Sequence, residues 1–367
     1  MIFKKLGLPQ NPVMLAPLAG VSDHPFRRLC TREGAHLTFV EMLSAVAIDY
    51  RSERTIEMAK RHPSETILGV QLTGRNADEV ARGVEFLSRL PFEVIDLNMG
   101  CPVKKVVKTG CGSAILKDPN RVYETVLKSV NATDLPVSAK IRLGWNRQSI
   151  NLVEVGQAAE AGGAAWVTIH GRTRSDDYST PVDLDRIADL KKNVRIPVIG
   201  NGNIFSQADA EYMIKHTGVD GVMVSRGALG NPWIFRELNG DSEPVTLEDW
   251  RCGVLDHLDW HAEEYGKLGM SGMRMRKHLL WYAKGWPASR KIRARINQTA
   301  NIDEAKQIIC DYADELARQN VKVRAPIVEH DSENRFSWDP KFDMDRQLDR
   351  GVGDDRLFEE AGEVAAV

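Results

Sequence analysis

Short apolar segments recur through the first two thirds of the chain, and each ends in a polar or glycine-rich turn. Eight of them are rich in β-branched residues and have the length of a buried strand. They cover residues 13–20, 37–42, 67–74, 94–101, 136–145, 165–173, 197–204 and 221–228. Strands that are apolar on both faces are typical of a parallel sheet covered by helices.

Helical periodicity separates these strands. Apolar residues recur every three or four positions in residues 77–89, 121–130, 153–161 and 206–216. Pro119 and Ser206 are typical residues for a helix start. Eight strand–helix units over about 230 residues match the size of a closed barrel. An open, doubly wound sheet is the alternative, but it normally carries Gly-x-Gly-x-x-Gly after its first strand. Here the first strand ends in the sequence Ala16 to Gly20. The pattern therefore predicts an α/β fold, a (β/α)₈ TIM barrel.

The pattern changes after residue 243. Thr246, followed three residues later by Asp249, resembles a capping box, and a long helical pattern covers 247–268. Further helices are predicted as far as about residue 323. Residues 326–367 carry 12 acidic and five basic side chains and little apolar periodicity. We therefore predict a barrel domain (1–243), a C-terminal all-helical domain (244–325) and an acidic, partly disordered tail (326–367).

Composition excludes several classes of protein. No segment reaches the roughly 18 apolar residues of a membrane span, and the start lacks the pattern of a secretory signal. The five cysteines are scattered without a Cys-x-x-Cys pair, which predicts neither a disulfide framework nor a zinc site. His257, His261 and His278 show no metal-binding spacing. We expect a cytoplasmic protein, a monomer, with no membrane partner and no metal.

Charge is unevenly distributed. The chain has a net charge of −2, although residues 326–367 alone carry −7. Eight basic residues and no acidic residue lie between Arg274 and Arg295. Such an excess either attracts a polyanion or forms a solvated helix face.

A barrel of this kind has its active site at the carboxyl ends of the strands. The sequence places polar or small residues at these positions: Pro17, Leu18, Ala19, Glu41, Gln71, Asn98, Cys101, Lys140, Arg142, His170, Arg172, Asn201, Gly202, Asn203, Ser225 and Arg226. The turns after strands 7 and 8 are the usual phosphate site of the fold. A phosphate there, with Lys140 and Gln71 deeper in the mouth, fits flavin mononucleotide (FMN). A phosphorylated sugar would use the same turns.

Several motifs, in order along the chain, are similar to those of the tRNA-dihydrouridine synthases. They are Ala16-Pro17-Leu18-Ala19-Gly20, Asn98-Met99-Gly100-Cys101-Pro102, Lys140-Ile141-Arg142 with Gly144-Trp145, His170-Gly171-Arg172-Thr173-Arg174, Asn201-Gly202, and Arg276-Lys277-His278 with Trp281-Tyr282. The resemblance covers residues 10 to 320 and is nearest to the bacterial B-type branch. The Asn-x-Gly-Cys-Pro motif is the most specific of the set.

The resemblance implies an FMN barrel with a helical domain that helps to hold tRNA. NADPH would reduce the flavin, hydride would pass to C6 of a uracil, and Cys101 would protonate C5. A thiol is mostly protonated at neutral pH, as this role requires. The implied flavin ligands are Pro17, Leu18, Ala19, Gln71, Lys140, His170, Asn201, Gly202, Asn203, Ser225 and Arg226. The candidate tRNA ligands are Asn98, Arg142, Arg172, Arg276 and Lys277, with Arg142 and Arg172 equally well explained as barrel supports.

Two positions depart from the family pattern. Asn203 stands where the family usually has aspartate, and Ser225 where it usually has glycine. Both changes leave the backbone amides in place, although Asn203 removes a charge. The resemblance favours RNA contact along 274–295, where Trp281, Tyr282 and Trp286 alternate with basic residues. Three alternatives remain at this point: an FMN enzyme acting on a free small molecule, a non-catalytic RNA-binding protein, and a phosphosugar isomerase or aldolase that uses Lys140.

Overall fold

The computed structural model describes residues 2–241, 243–266, 271–299 and 301–324. The predicted acidic tail (326–367) lies outside the described residues. In this part of the chain no helix has both the length and the apolar character needed to cross a membrane.

Eight parallel strands form the barrel, which confirms the predicted fold class. They are β1 (Val13–Leu15), β2 (Thr38–Ser44), β3 (Leu68–Thr73), β4 (Val94–Asn98), β5 (Val137–Arg142), β6 (Val167–His170), β7 (Val198–Asn201) and β8 (Val222–Val224). Hydrogen bonding runs in sequence order from β2 to β8, and β8 pairs with β1. Between β1 and β2 a single parallel bridge joins Met14 to Leu37, and the Leu15 amide donates to the Leu37 carbonyl over 2.9 Å.

Helices surround this sheet. They are α1 (Ile2–Lys5), α2 (His24–Arg32), α3 (Ala45–Asp49), α4 (Glu53–Met58), α5 (Ala77–Leu87), α6 (Lys104–Lys108), α7 (Pro119–Asn131), α8 (Leu152–Ala161), α9 (Leu184–Asn193), α10 (Gln207–Thr217) and α11 (Ile234–Leu238). Short 3₁₀ helices cover Gly112–Lys117 and Arg226–Ala228. Pro119 is the first residue of α7, and Ser206 caps α10 by accepting from the Asp209 amide, so both predicted helix starts are confirmed.

The barrel is closed by apolar side chains at the amino ends of its strands. Phe3 and Leu8, in and after α1, are buried together with Met14, Phe39 and Trp166. The rings of Phe3 and Trp166 meet edge to face, with centroids 5.7 Å apart. This packing leaves only the carboxyl ends of the strands open to a ligand.

Among the described residues, four helices follow the barrel: α12 (Leu247–Tyr265), α13 (Ser271–Tyr282), α14 (Ser289–Gln298) and α15 (Ile302–Arg318). The predicted capping box is present, because Thr246 and Asp249 each accept from the other's backbone amide. Trp250 packs against Trp286 and Tyr312 in the core of this helical unit. This core also includes Leu29 and Trp233, which precede residue 244, and the boundary between residues 243 and 244 stays a prediction.

The helical unit packs directly on the barrel. Leu29 of α2 belongs to the core of the helical unit. The buried guanidinium of Arg324 donates to the carbonyls of Lys284 (2.9 and 3.0 Å) and Gly230 (2.8 Å). Because these contacts join both units, α13 is held against the open end of the barrel.

Substitution of Gly230 is expected to destabilise this junction. Gly230 has φ +68°, and an added Cβ would lie 2.3 Å from the Trp281 carbonyl carbon in α13. Gly230→Ala therefore combines left-handed backbone strain with a clash against backbone that cannot move away easily. Gly240 (φ +97°) has open space around an added Cβ. Gly240→Ala therefore measures the cost of left-handed backbone strain without a clash. We expect Gly230→Ala to cost roughly 1–3 kcal/mol more than the control in urea unfolding. Equal losses would contradict a clash at the junction.

Candidate active site

A cavity of about 710 Å³ opens at the carboxyl end of the barrel. Residues from all eight strand ends line it, and α13 forms one wall. Every residue predicted for the site is among them: Pro17, Leu18, Ala19, Gln71, Asn98, Cys101, Lys140, Arg142, His170, Arg172, Asn201, Gly202, Asn203, Ser225, Arg226, Arg276 and Lys277. The structure thus brings together in one cavity residues from across the barrel and the helical unit.

A chain of hydrogen bonds links β3, β4 and β5 below the cavity. The Gln71 amide donates to Asp96 (2.7 Å), and the Asn98 amide donates to the Gln71 oxygen (2.7 Å). The Ser138 hydroxyl donates to the other Asp96 oxygen (2.6 Å). Burial raises the pKa of Asp96 above its ordinary value. Gln71 and Asn98 are thereby fixed in orientation and present defined polar edges to a ligand.

The loop that carries Cys101 is held by the same chain. The Asn98 side-chain oxygen accepts from the Cys101 amide (2.9 Å) and the Gly100 amide (3.2 Å). The Cys101 carbonyl accepts from the Ser113 hydroxyl (2.9 Å). The side chain of Cys101 is half-buried at the cavity wall. Its backbone is therefore fixed at both the amide and the carbonyl.

Arg142 supports this loop from β5. Its Nε donates to the Gly100 carbonyl (2.8 Å) and its Nη1 donates to the Thr173 carbonyl (2.9 Å). Only 6% of Arg142 is exposed. These bonds favour a supporting role, although Arg142 also lines the cavity.

Lys140 lies on the other side of the mouth. Its ammonium donates to the Asn201 oxygen (3.0 Å), and the Asn201 amide donates to the Met223 carbonyl (2.7 Å) and the Ser225 hydroxyl (3.0 Å). Burial and the nearby Arg142 lower the pKa of Lys140, whereas Asp96 opposes that shift. A buried cation is thus placed where it can stabilise negative charge on a ligand.

Two guanidinium groups meet at the ends of β6 to β8. The Asn203 oxygen accepts from Arg172 Nη2 (2.9 Å) and from Arg226 Nη2 (3.4 Å). Arg172 also lies 3.1 Å from the Nε2 atom of the buried His170. Burial and the neighbouring Arg226 and Arg142 lower the pKa of Arg172 to about 9. An anion bound here would offset this repulsion.

The helical unit supplies the opposite wall. Arg276 and Lys277 of α13 line the cavity, and an added Cβ at Gly20 would lie 3.6 Å from the Lys277 Nζ. The Gly20 amide donates to Glu41, which also lines the cavity. Arg276 donates to the Thr299 carbonyl (2.8 Å). The two predicted substrate-binding residues, Arg276 and Lys277, therefore line the same cavity as the strand ends.

A sequence profile described as dihydrouridine synthase matches residues 14–320 of the chain. The chain belongs to the dihydrouridine synthase family. Two tRNA-dihydrouridine synthases B are among its relatives. That of Pasteurella multocida is 38% identical over 307 residues, 82% of this chain and 91% of its own length. That of Shewanella oneidensis is 37% identical over 316 residues, 84% and 97% of the two chains. The resemblance to the bacterial B-type branch is confirmed.

Membership in the dihydrouridine synthase family makes the protein an oxidoreductase and implies a flavin cofactor. The protein spans most of the length of these relatives. The cavity of this dihydrouridine synthase is therefore the place where its chemistry is expected.

Three aromatic residues of the basic segment do not stand at the surface. Trp281, Tyr282 and Trp286 are 4%, 0% and 4% exposed, and all are packed inside the protein. Helical periodicity turns them into the core, although Trp281 also lines the cavity. Contact between RNA and residues 274–295 stays a prediction. The exposed basic residues of this segment are Arg290, Lys291 and Arg295.

Sequence reasoning missed several residues of the site. Asp96 orients Gln71 from inside β4, and Tyr178 lies under the Arg226 guanidinium with 4.2 Å to the ring centroid. Arg274 and Asn297 line the cavity from the helical unit. An acidic residue inside an apolar strand was the one signal available for Asp96. The others depend on how the loops and helices meet.

Proposed function

We propose that this protein reduces the C5–C6 double bond of a uridine in tRNA, with FMN as cofactor and NADPH as reductant. The observation that carries the proposal is the position of Cys101 at the wall of a cavity shared by all eight strand ends and α13. Family membership supplies the reaction class, and its bacterial relatives are named for tRNA.

The residues present fit FMN. The turns at Gly202, Asn203, Ser225 and Arg226 would hold the phosphate, with the Arg172 guanidinium beside them. Pro17, Leu18 and Ala19 would contact the flat ring system, and Gln71 and Lys140 would bond its polar edge. His170 and Asn201 complete this set. A cavity of about 710 Å³ lies within the common range for cofactor sites.

When bound, FMN supplies hydride to the uracil ring. Cys101 would donate the proton to C5, because thiols are mostly protonated at neutral pH and this one is half-buried at the cavity wall. Asn98 holds the Cys101 amide, which positions this acid. Lys140 would stabilise negative charge at the cofactor edge.

A uridine inside folded tRNA must be flipped out to reach this depth. The cationic side chains Arg274, Arg276, Lys277 and Lys105 line the cavity and would contact the phosphates beside the flipped base. Arg142 and Arg172 are largely occupied by backbone carbonyls. We propose that they support the site and that α13 carries most of the tRNA contact.

A single preparation tests the proposed function. The purified protein is examined for a flavin spectrum, then incubated with NADPH and unmodified tRNA, and dihydrouridine is measured. We expect a flavin spectrum and dihydrouridine formation. NADPH oxidation without dihydrouridine would indicate reduction of a free small molecule. A protein without flavin would contradict the proposal and favour the phosphosugar alternative.

Asn203→Asp is expected to stabilise the ligand-free protein and to weaken its binding of FMN. Asparagine and aspartate both tolerate the left-handed conformation at this position (φ +54°). A carboxylate would form ion pairs with Arg172 and Arg226, which are stronger than the present hydrogen bonds from these guanidinium groups to an uncharged amide oxygen. The same charge would compete with a phosphate. We expect the free energy of unfolding without ligand to rise by about 1 kcal/mol and the Kd for FMN to rise roughly tenfold.

Equilibrium dialysis with FMN and urea unfolding measure the two effects. Asn131→Asp adds the same charge on an exposed helix end and serves as the control. Tighter FMN binding in Asn203→Asp would contradict a phosphate site at these guanidinium groups.

A further inference from the structure

A cluster of histidines is buried between the barrel and the helical unit. His257 and His261 lie one turn apart on α12 and are 0% exposed, and His278 on α13 is 1% exposed. Asp23, the residue that caps α2, lies against them. One potential ligand atom from each of Asp23, His257 and His278 lies within 4.8 Å of the other two. The fold thus assembles a group that spacing along the chain does not reveal.

The polar atoms of the cluster lack partners within the described residues. Neither ring nitrogen of His278 or His261 has a hydrogen bond, and Nε2 of His257 has none. His261 Nε2 is 3.7 Å from Asp23 Oδ2, which is too long for a hydrogen bond. A buried polar group left without a partner costs roughly 1–3 kcal/mol. Five such nitrogens beside one carboxylate therefore form a buried polar group that a bound cation would satisfy.

Neighbouring bonds prepare two of these groups for a cation. His257 Nδ1 lies 2.8 Å from the Tyr282 hydroxyl. In the tautomer in which Nδ1 donates to that oxygen, Nε2 carries the lone pair that a metal needs, an arrangement common among metal-binding histidines. Asp23 Oδ1 accepts from the Phe26 amide (3.2 Å), which leaves Oδ2 on the side of the histidines.

We propose that Asp23, His257 and His278 bind a divalent transition metal, with Zn²⁺ as the best match. Two imidazoles and a carboxylate form a known ligand set for Zn²⁺. His261, whose Nε2 lies 3.7 Å from Asp23 Oδ2, is the candidate for a fourth ligand. Coordination at roughly 2.0–2.1 Å would draw the three ligand atoms closer together, within the 4.8 Å that now encloses them.

Some charged groups around the cluster favour the binding of a cation, and others oppose it. Burial holds the pKa of His257 and of His278 well below the ordinary value, so both rings are in the neutral form that binds metals. Lys277 faces the cluster as a cation and opposes binding, as does Arg274 near His261. Asp23 and the nearby Glu41 compensate for these charges. An ion in the cluster would also offset the repulsion between the Asp23 and Glu41 carboxylates.

A metal here would join α2 of the barrel to α12 and α13. His278 directly follows Arg276 and Lys277, which line the cavity. Fixing His278 would therefore also fix the positions of Arg276 and Lys277, the residues of α13 that we assign to tRNA contact. The proposed ion is structural and takes no part in the reduction.

Metal titration of the full-length protein tests this inference. The protein is stripped with a chelator, dialysed against Zn²⁺ and analysed for metal, and its Tm is recorded with and without Zn²⁺. We expect one Zn²⁺ per chain and a higher Tm with the metal. His278→Gln should bind Zn²⁺ on the order of 100-fold more weakly and lose the rise in Tm. His216→Gln, which alters an exposed histidine paired with Asp185, should behave as wild type.

Asp23→Asn and the spectrum of the Co²⁺-loaded wild type give independent readouts should His278→Gln fail to fold. Tetrahedral Co²⁺ absorption at wavelengths beyond the flavin bands, weakened in Asp23→Asn, would support the site. Zn²⁺ binding that is equal in wild type and variants, or absent from wild type, would overturn it. None of these measurements requires tRNA or NADPH, so their failure would leave the proposed reaction untouched.

Discussion

Cys101→Ala is expected to lower the rate of dihydrouridine formation by about 10²–10⁴-fold while leaving the flavin content unchanged. The thiol is the proposed donor to C5, and alanine has no proton to give. The backbone of Cys101 is held by Asn98 and Ser113 through main-chain atoms. Because alanine keeps those bonds, the loop should retain its shape. Single-turnover assays with reduced enzyme and unmodified tRNA measure the effect.

Cys111→Ala is the matched control. Cys111 follows in the same loop but is 7% exposed, and burial raises the pKa of its thiol above the ordinary value. We expect it to keep the wild-type rate. Comparable losses in both variants would mean that the loop, and not the Cys101 thiol, limits the reaction. Loss of flavin from Cys101→Ala would assign that residue a structural role.

Lys140→Met is expected to slow flavin reduction and product formation by roughly 10²–10³-fold, the usual cost of removing one preorganised charge stabiliser. It removes the bond to Asn201 and leaves the buried Asp96 without its nearest cation. Stopped-flow reduction with NADPH measures the first step separately. Lys191→Met is the control, because Lys191 pairs with Asp220 (2.6 Å) in the outer layer of the barrel. We expect it to leave the rate of flavin reduction unchanged.

The pH profile adds a second test of Lys140. Its pKa is lowered by burial and by Arg142, so the cationic form is present at low pH and is lost as pH rises, before the ordinary lysine value of 10.5. The rate that depends on this charge should fall on the alkaline side in the same range. Lys140→Arg keeps its charge and should move the fall to higher pH. If the rate of Lys140→Arg falls at the same pH as that of the wild type, the charge of Lys140 does not control the rate.

Local patterns determined much of the fold. Each predicted strand overlaps an observed one, because strands buried on both faces read as continuous apolar runs in the chain itself. Seven contain the observed strand, and β2 (Thr38–Ser44) continues beyond the predicted end at residue 42. The capping box at Thr246 and the start of α7 at Pro119 were equally visible, since capping depends on residues only three positions apart. The fold class also follows from the order of these elements.

The sequence also predicted residues that line the cavity, through the rule that barrel chemistry lies at the carboxyl ends of the strands and through the family motifs. It placed Cys101, Lys140 and Asn201 at such ends, and all three line the cavity. It did not decide what each side chain does. From the sequence Arg142 was equally a support or a ligand, and its bonds to Gly100 and Thr173 favour the supporting role.

Tertiary structure alone decided the contacts between distant parts of the chain. Asp96 meets Gln71 because the register of β3 and β4 pairs them, and Asp23 meets His257 and His278 because α12 and α13 pack near the start of α2. The orientation of Trp281 and Tyr282 into the core depends in the same way on which face of α13 meets its neighbours. Periodicity is a property of adjacent residues, whereas these contacts depend on strand register and helix rotation, which no local pattern specifies.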